Sequence, residues 1–213
     1  MHTPTVTEVA KVLAGGMGMP LSMPPNGVLD YVVRGYILYI GLQFDIPLTE
    51  RKLANLENAI QGMSVRRGLN NLRDEIVRRN PDGIQLDLDG IKTNIEEAAN
   101  GAELVKAFGN VAQWGTATRW KTFAFLHPSQ VPVLDSLVVG VISGKSEPAE
   151  EDYPLAASAI MEAHKDGDWK NVCDQIHADL SVDIQNRRTT LRILDIILWT
   201  YGKTIEKSLK AVQ

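Results

Sequence analysis

Apolar residues recur at three- and four-residue steps along most of this chain, which places them on one face of an α-helix. In the stretch from 51 to 60, for example, Leu53, Leu56 and Ile60 follow the helical period. The sequence has no sustained alternation of apolar and polar residues, which is the pattern of a half-buried strand. The spacing therefore predicts an all-α fold.

Glycine, proline, asparagine and aspartate separate the helical stretches from one another, because these residues favour turns. A loop rich in acidic residues and proline also runs from 143 to 154. The periodicity predicts short helices at 7–13, 28–44, 51–60, 68–79, 91–100, 103–112, 136–142, 155–165, 169–180 and 189–207. We detect no internal repeat, so a single helical body is expected.

The region before residue 28 differs in composition from the rest of the chain. Residues 14–27 are rich in glycine, methionine and proline, which interrupt regular structure. We therefore expect residues 1–27 to form an N-terminal helix followed by a flexible segment. Residues 28–213 are expected to form a single helical domain, since a chain of 213 residues can bury a substantial core.

The charge and the apolar runs limit the classes of function. The formal net charge of -4 disfavours an open nucleic-acid surface, so any DNA site has to be a local patch. The apolar run from Ile193 to Trp199 is interrupted by Asp195 and is too short to cross a bilayer. With no basic and apolar leader and a single cysteine, Cys173, the expected location is the cytoplasm and no membrane partner is expected.

Cofactor and metal motifs are missing from the sequence. The four histidines are scattered and show no metal-ligand spacing with Cys173, so no metal site is expected. The sequence also has no phosphate-binding loop, dinucleotide fingerprint or nucleophile elbow. We therefore expect no cofactor.

A tight turn at Gln113, Trp114 and Gly115 connects a helix ending near Ala112 to a helix that passes through Lys121. Glycine suits such a turn because it tolerates positive φ. The free N–H groups at the start of the second helix can bind one DNA phosphate. An ordinary corner between two helices explains the same residues.

An aspartate follows this turn at a set distance. Asp135 stands twenty residues after Gly115 and directly before the predicted helix 136–142. Capping of that helix is one sufficient reason for an acid at this position. The distance between the turn and Asp135 supports a second interpretation of this acid.

In this spacing the chain resembles the helix-hairpin-helix superfamily of base-excision DNA glycosylases. In that superfamily a Leu-Pro-Gly-Val-Gly hairpin precedes a Val-Asp-Thr-His-Val segment, and Val133 to Val138 lies where that segment is expected. The resemblance implies that Asp135 stabilises the positive charge that develops as the base leaves, or activates the nucleophile. Bifunctional members carry a lysine two residues after the second glycine, where this chain has Ala117.

Lys121 lies one helical turn beyond Ala117 and is a candidate replacement for that lysine, although an exposed surface lysine is the plainer interpretation. A closer resemblance links two blocks to uncharacterised bacterial proteins and to oxoguanine-glycosylase-like members. The first block runs from Lys121 to Asp135 as Lys-x6-Pro-x3-Pro-x2-Asp. The second is Leu-Arg-x-Leu-Asp-x3-Trp at 191–199.

The resemblance implies a DNA-binding surface around the hairpin and at the start of the last helix. Basic residues there could contact phosphate, although a solvated helix face is the plainer interpretation of those on the last helix. The candidate DNA-binding residues are Gln113, Trp114, Gly115, Thr116, Arg119, Arg187 and Arg188. The candidate catalytic residues are Asp135 and Lys121.

These residues lead to two hypotheses for function. In the first, the protein is a DNA-binding glycosylase that removes a damaged base such as oxoguanine, with lyase activity if Lys121 forms a Schiff base. In the second, it is a catalytically inactive relative that binds DNA or another protein. Gln113 in place of the first hairpin glycine, Ala117 at the lysine position and the net acidity favour the second.

Overall fold

The computed structural model describes residues 1–40, 116–117, 120, 124, 129–165, 167–185 and 188–210. Every regular element in these ranges is helical, in agreement with the predicted all-α class. The helices are α1 (Val6–Gly16), α2 (Pro25–Ile40), α3 (Ser136–Ser143), α4 (Asp152–Lys165), α5 (Gly167–Ala178), α6 (Val182–Gln185) and α7 (Thr190–Lys210). The helices predicted between 51 and 112 lie outside the described residues.

Helix α7 lies at the centre of this arrangement and packs against α1, α2, α3, α4 and α5. Its first half is buried on nearly every side, with Leu191, Ile193, Leu194 and 196–198 all at 1% exposure or less. A helix that is apolar all round requires neighbours on all sides. The apolar run that Asp195 interrupts is therefore in the middle of the core. None of the described helices is long and apolar enough to span a membrane.

Helix α1 belongs to the same core, because Val9 and Leu13 are fully buried and the helix packs against α7. Its start is fixed by a capping box, in which the Thr5 hydroxyl accepts the Glu8 amide and the Glu8 carboxylate accepts the Thr5 amide. The residues before it are also held. The Thr3 hydroxyl donates to the Ala159 carbonyl at 3.0 Å, and the Trp169 indole donates to the Pro4 carbonyl at 2.9 Å.

The connection between α3 and α4 is ordered by a buried acid. Gly144 ends α3 in the left-handed region, at φ 71°, where a side chain would be strained. The Lys145 ammonium then binds Asp152 at 2.8 Å, and the Ala149 amide donates to the same carboxylate. The pKa of Asp152 is lowered chiefly by its bond to Lys145. These bonds start α4 at Asp152, three residues before the sequence spacing suggests.

Candidate functional site

Residues 131–135 form a segment without regular secondary structure that leads into α3. Val131 and Leu134 are buried, Leu134 completely, while Val133 and Asp135 are only partly covered. Asp135 has φ -124° and ψ 174°, and its carboxylate accepts the Val138 amide at 3.0 Å. Asp135 is thus the N-cap of α3, which confirms the predicted helix start.

A second acid, the buried Asp195 of α7, contacts this segment. Its carboxylate accepts the Val133 amide at 2.8 Å, although the two residues are 62 positions apart in the chain. Asp195 is 2% exposed, and its other carboxylate oxygen has no hydrogen-bond partner among the described residues. The contact joins Val133, near the end of the first sequence block, to Asp195 in the second.

The charge of Asp195 is disfavoured by its surroundings. Burial raises the pKa of this carboxyl to about 7, and repulsion from Asp135 adds to the increase. Arg192 and the Val133 amide act in the opposite direction, with Arg192 Nη1 at 3.9 Å from the carboxylate. Asp195 therefore exchanges its proton near neutral pH, and it lies within electrostatic reach of Asp135.

Arg192 also joins α7 to α2. Its Nη2 donates to the Tyr36 hydroxyl at 3.3 Å, and the guanidinium carbon lies 5.9 Å from the centre of the same ring. Tyr36 packs edge-on against Trp199, with ring centroids 5.9 Å apart. Such edge-to-face and cation–π contacts stabilise the side-chain orientations. Arg192 is thereby held beside Asp195.

Arg188 also lies beside Tyr36, with its guanidinium carbon 6.0 Å from the ring centre. The residue is 1% exposed, and its carbonyl accepts a hydrogen bond from His177 Nε2 at 2.8 Å. The side chain thus packs in the interior beside an aromatic ring. Its contact with DNA phosphate stays a prediction.

The remaining sequence-predicted site residues divide into two groups. Thr116 is helical and partly buried, and Ala117, at the superfamily lysine position, packs against the core. The others lie outside the described residues, namely Gln113, Trp114, Gly115, Arg119, Lys121 and Arg187. The proposed grouping of Lys121 with Asp135 therefore stays a prediction.

Asp195 is the residue of this site that the sequence reasoning left without a role. The sequence does contain a signal for Asp195, because this acid interrupts an apolar run. An acid at such a position marks a kink in the helix, lies at the surface, or is buried with a partner. Its partner is a backbone amide from a distant segment, which residue spacing does not encode. Among the described residues, no group of three or more histidine, cysteine, aspartate or glutamate side chains could hold a metal ion.

Comparison with known proteins gives no match: no protein-family model, no curated protein and no solved structure resembles this chain closely enough to be reported.

Proposed function

We propose that this protein is a DNA-binding protein of the base-excision glycosylase type and that it removes a damaged base such as oxoguanine. The contact between Val133 and Asp195 carries the proposal, because it joins one residue from each of the two blocks in which the sequence resembles such proteins. The local segment also suits the role. An acid caps the start of α3 and is partly exposed, and a buried acid holds the residues before it.

Asp135 is the group that acts on DNA in this proposal. Loss of a base leaves positive charge on the sugar, and a fixed carboxylate stabilises that charge. The Val138 amide orients the carboxylate of Asp135, while its partial exposure leaves it accessible. Lys121 is the proposed nucleophile for the lyase step, because its long side chain can follow the helix face towards the same region.

The test uses duplexes that carry oxoguanine, uracil or an alkylated base, with borohydride present to trap a Schiff base. Asp135→Asn is the informative variant, because asparagine also caps helices well and the fold is expected to persist. We expect wild-type protein to release a base and Asp135→Asn to be slower by about 100-fold or more. Lys121→Ala is expected to abolish the trapped complex and strand cleavage, while base release persists.

Asp174→Asn serves as the control, since this exposed acid pairs with Lys170 on the surface of α5. It should match the wild-type protein in rate and melting temperature. Absence of an abasic product, of strand cleavage and of a trapped complex on all three duplexes would exclude the enzymatic proposal.

A second candidate function is a catalytically inactive module that binds DNA or a protein. The capping bond from Val138 favours it, because this bond alone gives Asp135 a structural purpose. Fluorescence anisotropy with the same duplexes separates the two candidates. Binding without base release, unchanged in Asp135→Asn, would support the module.

A further inference from the structure

The bond between Asp195 and Val133 lies two residues before the acid that the proposed function uses. Polar groups are rarely buried without a partner, and a buried acid is the most unfavourable of them. Asp195 is nevertheless placed in the centre of the core, at 2% exposure, with one backbone amide and one arginine beside the same oxygen. Its position thus serves something other than packing.

We infer that Asp195 is a positioning residue for Asp135, which it orients by holding the Val133 amide. The inference rests on the proposed function, in which Asp135 acts on DNA. Asp195 touches no substrate in this arrangement. It acts on the reaction through the backbone that leads into α3.

The short backbone between Val133 and Asp135 explains how a bond at Val133 reaches Asp135. Asp135 is extended, at φ -124° and ψ 174°, and Leu134 is buried while Val133 and Asp135 are only partly covered. Burial of Leu134 fixes the depth of the segment, but an apolar contact has no preferred direction. The hydrogen bond to Asp195 supplies that direction, and a rotation that released Val133 would also turn the side chain of Asp135.

The charges around Asp195 give the same residue an electrostatic effect on Asp135. In the described part of the chain, the charged groups that act on it are Arg192 of α7 and Asp135 itself. Cys173 of α5 responds to its charge, and Tyr36 of α2 holds Arg192. Tyr153 of α4 faces Asp135. Ionisation of Asp195 therefore adds negative potential where the proposed reaction develops positive charge.

The first experiment records the carboxyl-carbon NMR signal of Asp135 between pH 4 and pH 9 in the full chain. We expect an inflection near neutral pH, because Asp195 titrates close by with a pKa of about 7. The inflection should disappear in Asp195→Asn and persist in the surface control Asp174→Asn. A signal without this inflection, or one that keeps it in Asp195→Asn, would overturn the inference.

The second experiment measures hydrogen exchange of the amides in 131–138. We expect exchange to accelerate by about tenfold in Asp195→Ala, with residues 6–16 unchanged, and to return towards the wild-type rate in Asp195→Asn, whose amide oxygen still accepts. Val133→Pro removes the donor and leaves Asp195 in place, so it replaces Asp195→Ala if that variant fails to fold. Unchanged exchange in Asp195→Ala, or in Val133→Pro where it replaces that variant, would contradict the positioning role.

The activity measurement separates this inference from the proposed function. If the wild-type protein releases a base, Asp195→Ala should lower kcat with little change in KM, whereas Asp195→Asn, which keeps an acceptor for the Val133 amide, should restore kcat and only flatten its pH profile near neutrality. An unchanged kcat and pH profile would overturn the inference. If the wild-type protein releases no base, the proposed function fails, whereas the NMR and exchange measurements still decide whether Asp195 positions Asp135.

Discussion

Helix α7 carries one acid in each half, and their surroundings are opposite. Asp195, in the buried half, has one backbone donor and an arginine at 3.9 Å, and burial raises its pKa to about 7. Glu206, in the exposed half, binds Lys210 at 2.8 Å and Lys203 at 3.0 Å, and these bonds lower its pKa to about 2. The two carboxyl groups differ in solvation more than in partners.

The comparison separates the acid to which we assign a positioning role from one that forms only surface ion pairs. A triad of exposed charges along one helix face is common and contributes little. A buried acid is unfavourable by itself and persists where something depends on it. The buried half of α7 also contacts the segment before α3, whereas Lys203, Glu206 and Lys210 bind, within the described part of the chain, only one another and the Trp199 ring.

The largest effect is expected from Asp195→Asn on the pH dependence of folding. The pKa of Asp195 in the folded protein lies above its ordinary value of 3.8, so the folded state favours the protonated form. Its stabilising contribution is thus complete below about pH 4 and is lost as pH rises towards 7, by at most about 1.4 kcal/mol per pH unit. Urea unfolding between pH 4 and pH 8 measures this slope.

The difference in unfolding free energy between wild type and Asp195→Asn isolates this group, since His164 and the other titrating residues are common to both proteins. The wild-type advantage should shrink from pH 4 to pH 7 and stay constant above. A difference that does not depend on pH would remove the contrast between the two halves of α7.

A side chain at Gly202 of α7 should have the next largest effect, because it would meet side chains of α3. A Cβ at this position would lie 2.9 Å from Leu137 Cγ and 3.1 Å from Val141 Cγ2. Gly202→Val should therefore destabilise the protein by about 1–3 kcal/mol in urea unfolding. Gly35→Val is the matched control, since nothing lies within 4 Å of a Cβ there. Equal losses in both variants would show that backbone effects, not packing against α3, explain the change.

Particular residues show how much of the fold and of the candidate site can be predicted from the sequence. The helical class and the start of α3 at Asp135 were predictable, because periodicity and capping are local properties. The start of α4 at Asp152 was not, since it depends on Lys145 across a loop. The role of Asp195 depends on an amide 62 residues away, and the sequence shows only that an acid interrupts an apolar run.

Arg192→Gln tests the electrostatic part of the comparison with a smaller effect. Arg192 is the nearest described cation to Asp195 and lowers its pKa. Loss of this charge should raise the pKa of Asp195 further, by about one unit, and move the pH-dependent change in stability to higher pH. Arg192→Lys keeps the charge and should retain most of the wild-type profile. If the pH-dependent change in stability has the same midpoint in Arg192→Gln as in wild type, burial and the Val133 amide alone set the pKa of Asp195.

Glu206→Gln should have the smallest effect. The pKa of Glu206 in the folded protein lies below its ordinary value of 4.5, so its contribution is present above about pH 4.5 and is lost as pH falls towards 2. Both ion pairs are exposed to solvent, and their attraction is screened by salt. Thermal unfolding at pH 7 should thus differ little from wild type, and any difference should vanish in high salt. A loss as large as that in Gly202→Val would mean that the exposed end of α7 takes part in a contact that the buried half does not.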